Sequence, residues 1–312
     1  MGGHAHGATR APSRVEGVRL NDLWIAPGCE RMLLDNHLDS LDALMATDLL
    51  ERIEGERLDK PGLDPWRERF RLRLRPNRQS AIDNRQSAVV VYLKRFHQPP
   101  SSPCREVRRS GCGASSVAGV EWAWMHRLQN DGIACAQPVA LGEEVRRGRE
   151  MRSAVVTLAA PGMSLERWCE RWTRADRAEF RSLLLPLANL IARLHGCGYI
   201  HRDLYLSHAF YDPCAARESC LRLIDLQRVL RPNLGIRRWM VKDLAALNYS
   251  TPMRLVSTTD RVRWLKAYLG ITKLEAGARQ LLYRVLGKTQ SIVRHDHQRR
   301  IRLHENQRDR GQ

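Results

Sequence analysis

The stretch HRDLYLSH, at residues 201–208, gathers side chains that could do acid–base chemistry. Asp203 lies within it, and a second carboxylate, Asp225, ends the apolar stretch LRLID twenty-two residues later. In phosphoryl transfer, one such carboxylate accepts or positions the attacking hydroxyl, and another holds Mg²⁺. The triplet His201-Arg202-Asp203 can also be part of a surface salt bridge. The elements before and after it have to distinguish a catalytic group from a surface ion pair.

Two further residues would complete the parts that phosphoryl transfer needs. Lys94 ends the apolar stretch VVVYLK, where a lysine can bind nucleotide phosphates, and Glu121 is the only acidic residue in VAGVEWAWMHRLQN, where it can orient that lysine. Taken alone, each has an ordinary interpretation, as a solvated strand end and as a surface charge on a helix. Their order along the chain, followed by Asp203 and Asp225, favours the catalytic interpretation of all four.

The pattern of apolar residues predicts the elements that carry this set. Residues 38–53 have apolar positions three and four apart, which predicts a helix. Residues 69–75 alternate charged and apolar side chains, and residues 87–96 are rich in β-branched ones, so both predict strands. Residues 97–116 are rich in proline and serine, which is typical of a loop.

Helix boundaries can be predicted in the same way. Ser115 or Ser116 is expected to cap the helix VAGVEWAWMHRLQN, and Gly132 is expected to end it. An apolar stripe over residues 176–195 predicts one long helix, with a kink at Pro186.

The order of these elements predicts an α+β protein with a bilobal, protein-kinase-like fold, in which a β-rich N-lobe precedes an α-rich C-lobe. Two strands around a charged hairpin lead to a Pro-Gly turn at residues 161–162, where we place the lobe boundary. The predicted parts are a flexible tail over 1–20, the N-lobe over 21–160, the C-lobe over 161–287 and a basic tail over 288–312.

The chain has 312 residues and a formal net charge of +18, which favours partners rich in phosphate. No aromatic-interleaved RNA motif, zinc finger or helix-turn-helix is present, so we expect no specific nucleic acid.

The eight cysteines form no C-x-x-C pair, which indicates reduced thiols in a cytosolic protein. No apolar run reaches the roughly 20 residues of a membrane helix, and the N-terminal residues do not resemble a secretory signal.

Longer motifs narrow the interpretation. GYIHRDLYLSHAF, LIDLQR and VKDLAALNYS resemble the Kdo/WaaP family of lipopolysaccharide core kinases, bacterial enzymes with a protein-kinase-like fold. VVYLKRF, EWAWMHRLQNDGIACAQPVALGE and VVTLAAPGMSLERW are similar to the strand lysine, helix and hinge regions of that family. The resemblance covers residues 60–255, roughly.

The resemblance implies a role for each candidate residue. Asp203 would be the catalytic base, Lys94 would bind phosphate while paired with Glu121, and Asp225 would hold Mg²⁺. Asp243 would anchor the catalytic loop, although a helix N-cap is its ordinary interpretation. The backbone of three hinge residues would meet the adenine of ATP: Thr157, Leu158 and Ala159.

The resemblance also implies an acceptor and a location. The acceptor would be a hydroxyl of a lipopolysaccharide core sugar, either heptose or Kdo, on the cytoplasmic face of the inner membrane. The positive net charge fits an anionic glycolipid on an anionic, peripheral membrane surface. A monomer is expected.

The chain departs from protein kinases at several points. No G-x-G-x-x-G precedes Lys94, so a degenerate phosphate-covering loop is expected near Gly62, and Gln227 replaces the glycine of D-F-G. His208 occupies the place of the second Mg²⁺ ligand, where it could either bind metal or support Asp225. Two alternatives stay open: a kinase for a protein or small-molecule acceptor, and a catalytically weak kinase-like binding protein.

Overall fold

The computed structural model describes residues 17–58, 64–75, 88–173 and 176–309. The chain divides into two compact units. The first contains the residues up to His126 together with Gln137–Ala159, and the second contains Arg127–Ala136 together with the residues from Ala160 onward. The division at Ala159 lies beside the predicted lobe boundary, but Arg127–Ala136, which the prediction gave to the first lobe, belongs to the second unit.

The first unit is built on a seven-stranded antiparallel sheet with the order β1-β2-β6-β7-β5-β4-β3. Its elements are β1 (Val18–Leu20), β2 (Leu23–Ile25), α1 (Glu30–Asp35), α2 (Leu41–Met45), α3 (Leu49–Arg52), β3 (Gly55–Arg57), β4 (Arg67–Leu74), β5 (Val89–His97), α4 (Ser101–Arg109), most of α5 (Val117–Asn130), β6 (Pro138–Arg146) and β7 (Arg149–Leu158). The residues of α5 from Arg127 onward belong to the second unit.

Strand β5 determines which side of this sheet Lys94 faces. Side chains alternate between the two faces of a strand. Val91 and Leu93 are fully buried in the core that also contains residues of α1, α2 and α3, so Lys94 points to the opposite face. The β-branched run at the start of β5 favours the extended backbone on which this alternation depends.

Residues 18–53, which precede β3, are part of the fold. Seven leucine and isoleucine side chains from them are at most 2% exposed and lie in the core of the first unit: Leu23, Ile25, Leu33, Leu38, Leu41, Leu44 and Leu49. Val18–Leu20, which the prediction placed in a flexible tail, pairs with β2.

Two predicted elements in the first unit are wrong. Residues 38–53 form two short helices, α2 and α3, because Ala46 has an extended backbone that ends α2. Residues 97–116, predicted as a loop, contain α4. Pro103 lies in the first turn of α4, where a proline is tolerated because no intrahelical partner exists for its missing N–H.

Helix α5 begins and ends as the sequence predicts. The Ser116 hydroxyl accepts a hydrogen bond from the N–H of Gly119 at 2.9 Å, which satisfies one of the unpaired donors at the start of the helix. At the other end Gly132 has φ +66°, a conformation that glycine adopts without strain.

The second unit is mostly helical, with a small sheet in the order β10-β9-β8. Its elements are β8 (Met163–Ser164), α6 (Leu165–Arg171), α7 (Arg177–Ser182), α8 (Leu184–Gly196), β9 (Ala209–Tyr211), β10 (Leu221–Leu223), α9 (Ile236–Ser250), α10 (Thr258–Leu269) and α11 (Ala276–Asp309). The α+β class, with a β-rich first unit and an α-rich second unit, is therefore confirmed.

The single long helix predicted over residues 176–195 is divided into α7 and α8. The break falls at Leu183, three residues before Pro186. A proline ring clashes with the carbonyl four residues earlier in a continuous helix. Ending α7 at Ser182 removes that clash and places Pro186 in the first turn of a new helix.

Helix α11 passes without interruption through Lys288, where the prediction began a basic tail. Thr289 accepts a hydrogen bond from the side chain of Asn248 at 3.0 Å, and Asp296 accepts one from the Tyr249 hydroxyl at 2.7 Å. Both contacts tie α11 to α9, so the chain at least as far as Asp296 is packed.

Within the described ranges, no helix combines the length and the apolar character that crossing a bilayer requires. All eight cysteines lie in those ranges as free thiols, as the sequence predicts.

Candidate active site

Lys94 and Glu121 form a close ion pair within the first unit. The Nζ of Lys94 lies 2.8 Å from both carboxylate oxygens of Glu121, and the two side chains are only 15% and 3% exposed. Taking both charges out of water is costly, and removing either partner would leave the other buried and uncompensated. The buried pair therefore fixes the position of the lysine ammonium group.

Helix α5 explains why Glu121 is buried. Trp122, Trp124 and Met125 on the same helix are at most 1% exposed, and Glu121 itself is 2% exposed, so this stretch of α5 lies in the interior of the protein. An unpaired carboxylate would not stay ionised in such surroundings at moderate cost. Lys94 is the group that compensates it.

Two of the three predicted hinge residues have N–H groups that are already hydrogen-bonded to neighbouring backbone. The N–H of Leu158 donates to the carbonyl of Gln137 at 3.0 Å, and the N–H of Ala159 donates to Val90 at 2.9 Å. Thr157 lies opposite Tyr92 in the sheet. Leu158 and Ala159 can therefore offer carbonyl oxygens to a ligand, but their N–H groups are already used by the sheet.

Asp243 holds the loop at residues 201–208 in the second unit through its backbone. The carboxylate is fully buried in the middle of α9, and it accepts hydrogen bonds from the N–H groups of His201 at 2.7 Å and Arg202 at 2.8 Å. The anchoring predicted for Asp243 is confirmed, and a helix N-cap is excluded. These two bonds hold Arg202 in a left-handed conformation, φ +70°, which is strained for a non-glycine residue.

His195 supports the same carboxylate. Its Nε2 lies 3.3 Å from Asp243, and its Nδ1 lies 2.7 Å from the Tyr268 hydroxyl. Because the carboxylate can only accept, Nε2 carries the proton, and Nδ1 of a neutral ring accepts from the hydroxyl. No motif in the sequence indicates this connection between His195 and the loop.

His208 is bonded to the loop and faces Asp225. Its Nδ1 donates to the carbonyl of Asp203 at 2.7 Å, which leaves Nε2 of a neutral ring as an acceptor. That Nε2 lies 3.7 Å from Oδ2 of Asp225, which is beyond hydrogen-bond distance. Asp225 itself has φ +58°, a second left-handed residue within this cluster.

Arg228 is a member of the cluster that sequence reasoning missed. Its guanidinium donates to Oδ1 of Asp203 at 2.7 Å. The residue is visible in the sequence as the last letter of LIDLQR, but nothing in a linear motif indicates which carboxylate an arginine will contact. The structure shows that it holds one oxygen of Asp203.

His201 is packed below the loop. Its Nε2 donates to the carbonyl of Ile224 at 3.1 Å, while Nδ1 is buried with no hydrogen-bond partner. Burial lowers the pKa of His201 below its usual 6.5, and the opposing effect of Asp243 does not restore it. A neutral His201 is therefore structural.

The donor set at His208 and Asp225 fits a magnesium ion only if other ligands contribute. Within the described parts of the chain, no three acidic, histidine or cysteine side chains converge as a metal cluster. Mg²⁺ is usually bound by one or two carboxylates together with substrate phosphates and water. An imidazole nitrogen and a carboxylate oxygen that lie 3.7 Å apart fit that description. The loop expected near Gly62 lies outside the described residues.

A comparison with protein families decides where this arrangement belongs. Residues 106–268, just over half of the chain, match the model of the lipopolysaccharide kinase (Kdo/WaaP) family. The chain belongs to this family. The match includes Glu121, Asp203, His208 and Asp225, whereas Lys94 precedes it.

Two curated members of the Kdo/WaaP family show the degree of similarity. The lipopolysaccharide core heptose(I) kinase WaaP of Pseudomonas aeruginosa is 31% identical over 154 residues, which is 47% of this chain and 58% of that protein. The protein of the same name from Escherichia coli K12 is 31% identical over 157 residues, which is 48% of this chain and 59% of that protein. The chain therefore spans less than two thirds of the length of these relatives.

A solved structure supports the fold independently. WaaP in complex with acyl carrier protein superposes with a TM-score of 0.59 at 23% identity, covering 86% of this chain and 98% of that one. At this identity the likeness shows the fold alone.

Replacing Asp243 by Asn should destabilise the protein by roughly 3 kcal/mol, since hydrogen bonds to a charged group contribute about 1.5–3 kcal/mol. The new amide nitrogen would face a backbone N–H with no acceptor between them. Urea denaturation measures the loss. Asp42→Asn is the matched control, because its ion pair with Arg152 is 78% exposed on the aspartate side and should contribute less than about 1 kcal/mol. Equal losses in the two variants would contradict the anchoring role of Asp243.

Stability should depend on pH through His201. Because burial lowers its folded pKa, the unfolded chain binds this proton more readily, so stability is complete above about pH 6.5 and falls as the pH decreases toward the folded pKa. We expect the Tm to fall more steeply from about pH 7 to about pH 5 in the unaltered protein than in His201→Gln. His297→Gln, at an exposed position, is the control and should leave the slope unchanged. Parallel slopes for His201→Gln and the unaltered protein would exclude this contribution.

Proposed function

We propose that this protein is an ATP-dependent kinase that phosphorylates a hydroxyl of a lipopolysaccharide core sugar, either heptose or Kdo. The observation that carries the proposal is the loop anchored by Asp243, which gathers Asp203, His208 and Asp225 in a chain that belongs to the Kdo/WaaP family. The names of the two curated relatives favour heptose as the acceptor.

Asp203 is the residue that we assign as the catalytic base. Arg228 engages Oδ1, so Oδ2 is the oxygen that would accept the proton of the acceptor hydroxyl. The hydroxyl oxygen then forms a bond to the γ-phosphorus while the bond to the β–γ bridging oxygen breaks. The hydrogen bond between His208 and the Asp203 carbonyl keeps the loop in one conformation during this step.

Lys94, Asp225 and His208 would act on the nucleotide. Glu121 holds the Lys94 ammonium group, which we propose binds the α- and β-phosphates. Asp225 and His208 would hold Mg²⁺, which neutralises phosphate charge when it is bound. At the hinge, the carbonyl oxygens of Leu158 and Ala159 are the groups that remain to accept from adenine. The N–H of Ala160 is the next backbone donor along the chain. Residue 161 is proline, which has no N–H to donate.

The proposed partner is a core glycolipid at an anionic membrane surface, on the cytoplasmic face of the inner membrane. The +18 net charge supports an anionic surface but does not distinguish a membrane from an acidic protein. The solved structure of WaaP with acyl carrier protein makes such a protein the alternative partner.

Replacing Asp203 by Asn should lower turnover of ATP with a core glycolipid by roughly 100- to 10,000-fold, the range for loss of a general base. Nucleotide binding should persist, because Asp203 is not assigned to the phosphates. Phosphate transfer to the glycolipid and a nucleotide thermal shift measure the two properties. Lys94→Met should instead weaken both, and Asp212→Asn, away from the cluster, should change neither.

Each outcome separates the alternatives. Full turnover by Asp203→Asn would show that the base is assigned wrongly. A thermal shift with ATP but transfer only to a protein or small molecule would favour the kinase with a different acceptor. No shift with ATP and Mg²⁺ would favour the binding protein.

The role of His208 can be tested with Mn²⁺ as a spectroscopic substitute for Mg²⁺. If Nε2 is a ligand, His208→Leu should weaken Mn²⁺ binding about tenfold or more in the presence of a non-hydrolysable ATP analogue. His208→Asn should restore it, because the amide oxygen is a suitable ligand. Electron paramagnetic resonance titration measures both. Unchanged Mn²⁺ affinity in His208→Leu would show that His208 only supports Asp225.

A further inference from the structure

The segment that follows Asp225 carries charge of one sign. Residues 227–242, called the basic segment below, contain four arginines and one lysine and no aspartate or glutamate. Asp243, the next residue, is buried and directed at the catalytic loop. The basic segment therefore has no carboxylate of its own to balance its charge.

Leu234 lies at the tip of the basic segment. It is 87% exposed, more than any other large apolar side chain in the described chain, and the neighbouring Arg231 and Arg237 are also exposed. A single exposed leucine is common on soluble proteins and means little alone. An apolar tip between arginines, however, has the composition of an interfacial anchor, which buries the apolar group among acyl chains while the cations meet lipid phosphates.

The charge on helix α9 lies at an unfavourable end. Arg237 and Arg238 occupy its first turn, where the helix dipole is already positive, and no acidic residue lies in that turn. The Nζ of Lys242 lies 4.1 Å from the ring centroid of Trp239, and the guanidinium of Arg202 lies 5.6 Å from the same centroid. Two cations thus lie close to one aromatic ring.

The electrostatic effect of this grouping is visible at Lys242. Burial lowers its pKa, and Arg238, Lys288 and Arg202 lower it further by repulsion. All of the charges that affect it are basic. An anion at this surface would remove the repulsion, which is why the grouping indicates an anionic partner and not a solvated helix end.

The basic segment is attached to the catalytic loop at both of its ends. Near its start, Leu230 and Ile200 exchange backbone hydrogen bonds of 2.9 and 3.0 Å. Beyond its end, Asp243 binds the N–H groups of His201 and Arg202. Whatever the basic segment docks on is therefore held at a fixed position relative to Asp203.

We propose that residues 227–242 are the surface by which this protein docks on an anionic lipid bilayer, with Leu234 entering the interface and Arg231, Arg237, Arg238 and Lys242 contacting lipid phosphates. The proposal rests on the proposed function, in which the acceptor sugar belongs to a membrane glycolipid. Docking brings the catalytic loop to the headgroup plane, where that sugar lies.

The test uses the full chain and vesicles of phosphatidylcholine with and without phosphatidylglycerol. The triple variant Arg237→Gln, Arg238→Gln, Lys242→Gln should bind the anionic vesicles roughly a hundredfold more weakly, because each cation near such a surface contributes about a fivefold change in affinity. The matched control removes three exposed cations from helix α4: Arg105→Gln, Arg108→Gln and Arg109→Gln. It has the same net charge and should keep most of the binding. Co-sedimentation measures the vesicle-bound fraction.

Leu234→Ser provides a second variant that alters only an exposed side chain. It should weaken binding to anionic vesicles without lowering the Tm. Equal losses in the triple variant and the α4 control would overturn the proposal in favour of general charge attraction. Loss of binding to acyl carrier protein, with vesicle binding unchanged, would overturn it in favour of a protein partner.

Turnover separates this proposal from the proposed function. The triple variant should phosphorylate a soluble, lipid-free core oligosaccharide at the normal rate and the vesicle-bound glycolipid much more slowly, whereas Asp203→Asn should lose both activities. If Asp203→Asn keeps both activities, only the assignment of the base fails. If the unaltered protein phosphorylates neither substrate, the proposed function fails, while vesicle binding can still be measured. If the triple variant loses both, the basic segment acts in catalysis and the docking proposal is overturned.

Discussion

The second unit depends on one buried carboxylate. Asp243 lies in the middle of α9 with no exposed surface, and it accepts hydrogen bonds from two consecutive backbone N–H groups and from His195. A buried charge is stable only when its lone pairs are satisfied in this way. The consequence is a loop with a fixed backbone, including a strained residue at Arg202, and the positions of Asp203, His208 and Arg228 follow from it.

The first unit uses the same physical constraint in another form. Glu121 lies in the interior of the protein, where a carboxylate requires a cation, and Lys94 on β5 supplies it at 2.8 Å. Neither buried charge is a favourable contribution to folding when compared with an apolar residue of the same size. Each of them holds a side chain or a stretch of backbone in one place. The proposed phosphoryl transfer needs this, because most of its catalysis is positioning and electrostatics.

Much of the framework follows from local patterns. The strands β4 and β5, the β6–β7 hairpin, the Ser116 cap and the end of α5 near Gly132 are all where the sequence predicts them, because alternation, β-branched residues and capping act over a few neighbouring residues. The errors have equally local causes. The prolines near α4 predict a loop, although Pro103 lies in a helical first turn. Pro186 divides a helix for which the sequence predicts only a kink.

The sequence by itself determined which reactive side chains are available, namely a lysine, a glutamate and two aspartates, and on which elements and in what order they lie. It also determined which family the chain resembles. It determined these because residue type and periodicity are properties of the chain. Only the tertiary structure decided that Arg228 engages Asp203, that His208 presents Nε2 toward Asp225, and that the N–H groups of Leu158 and Ala159 are used by the sheet. Those contacts join residues far apart in the chain or depend on which way a ring turns, and packing fixes them, since no local propensity distinguishes one partner from another.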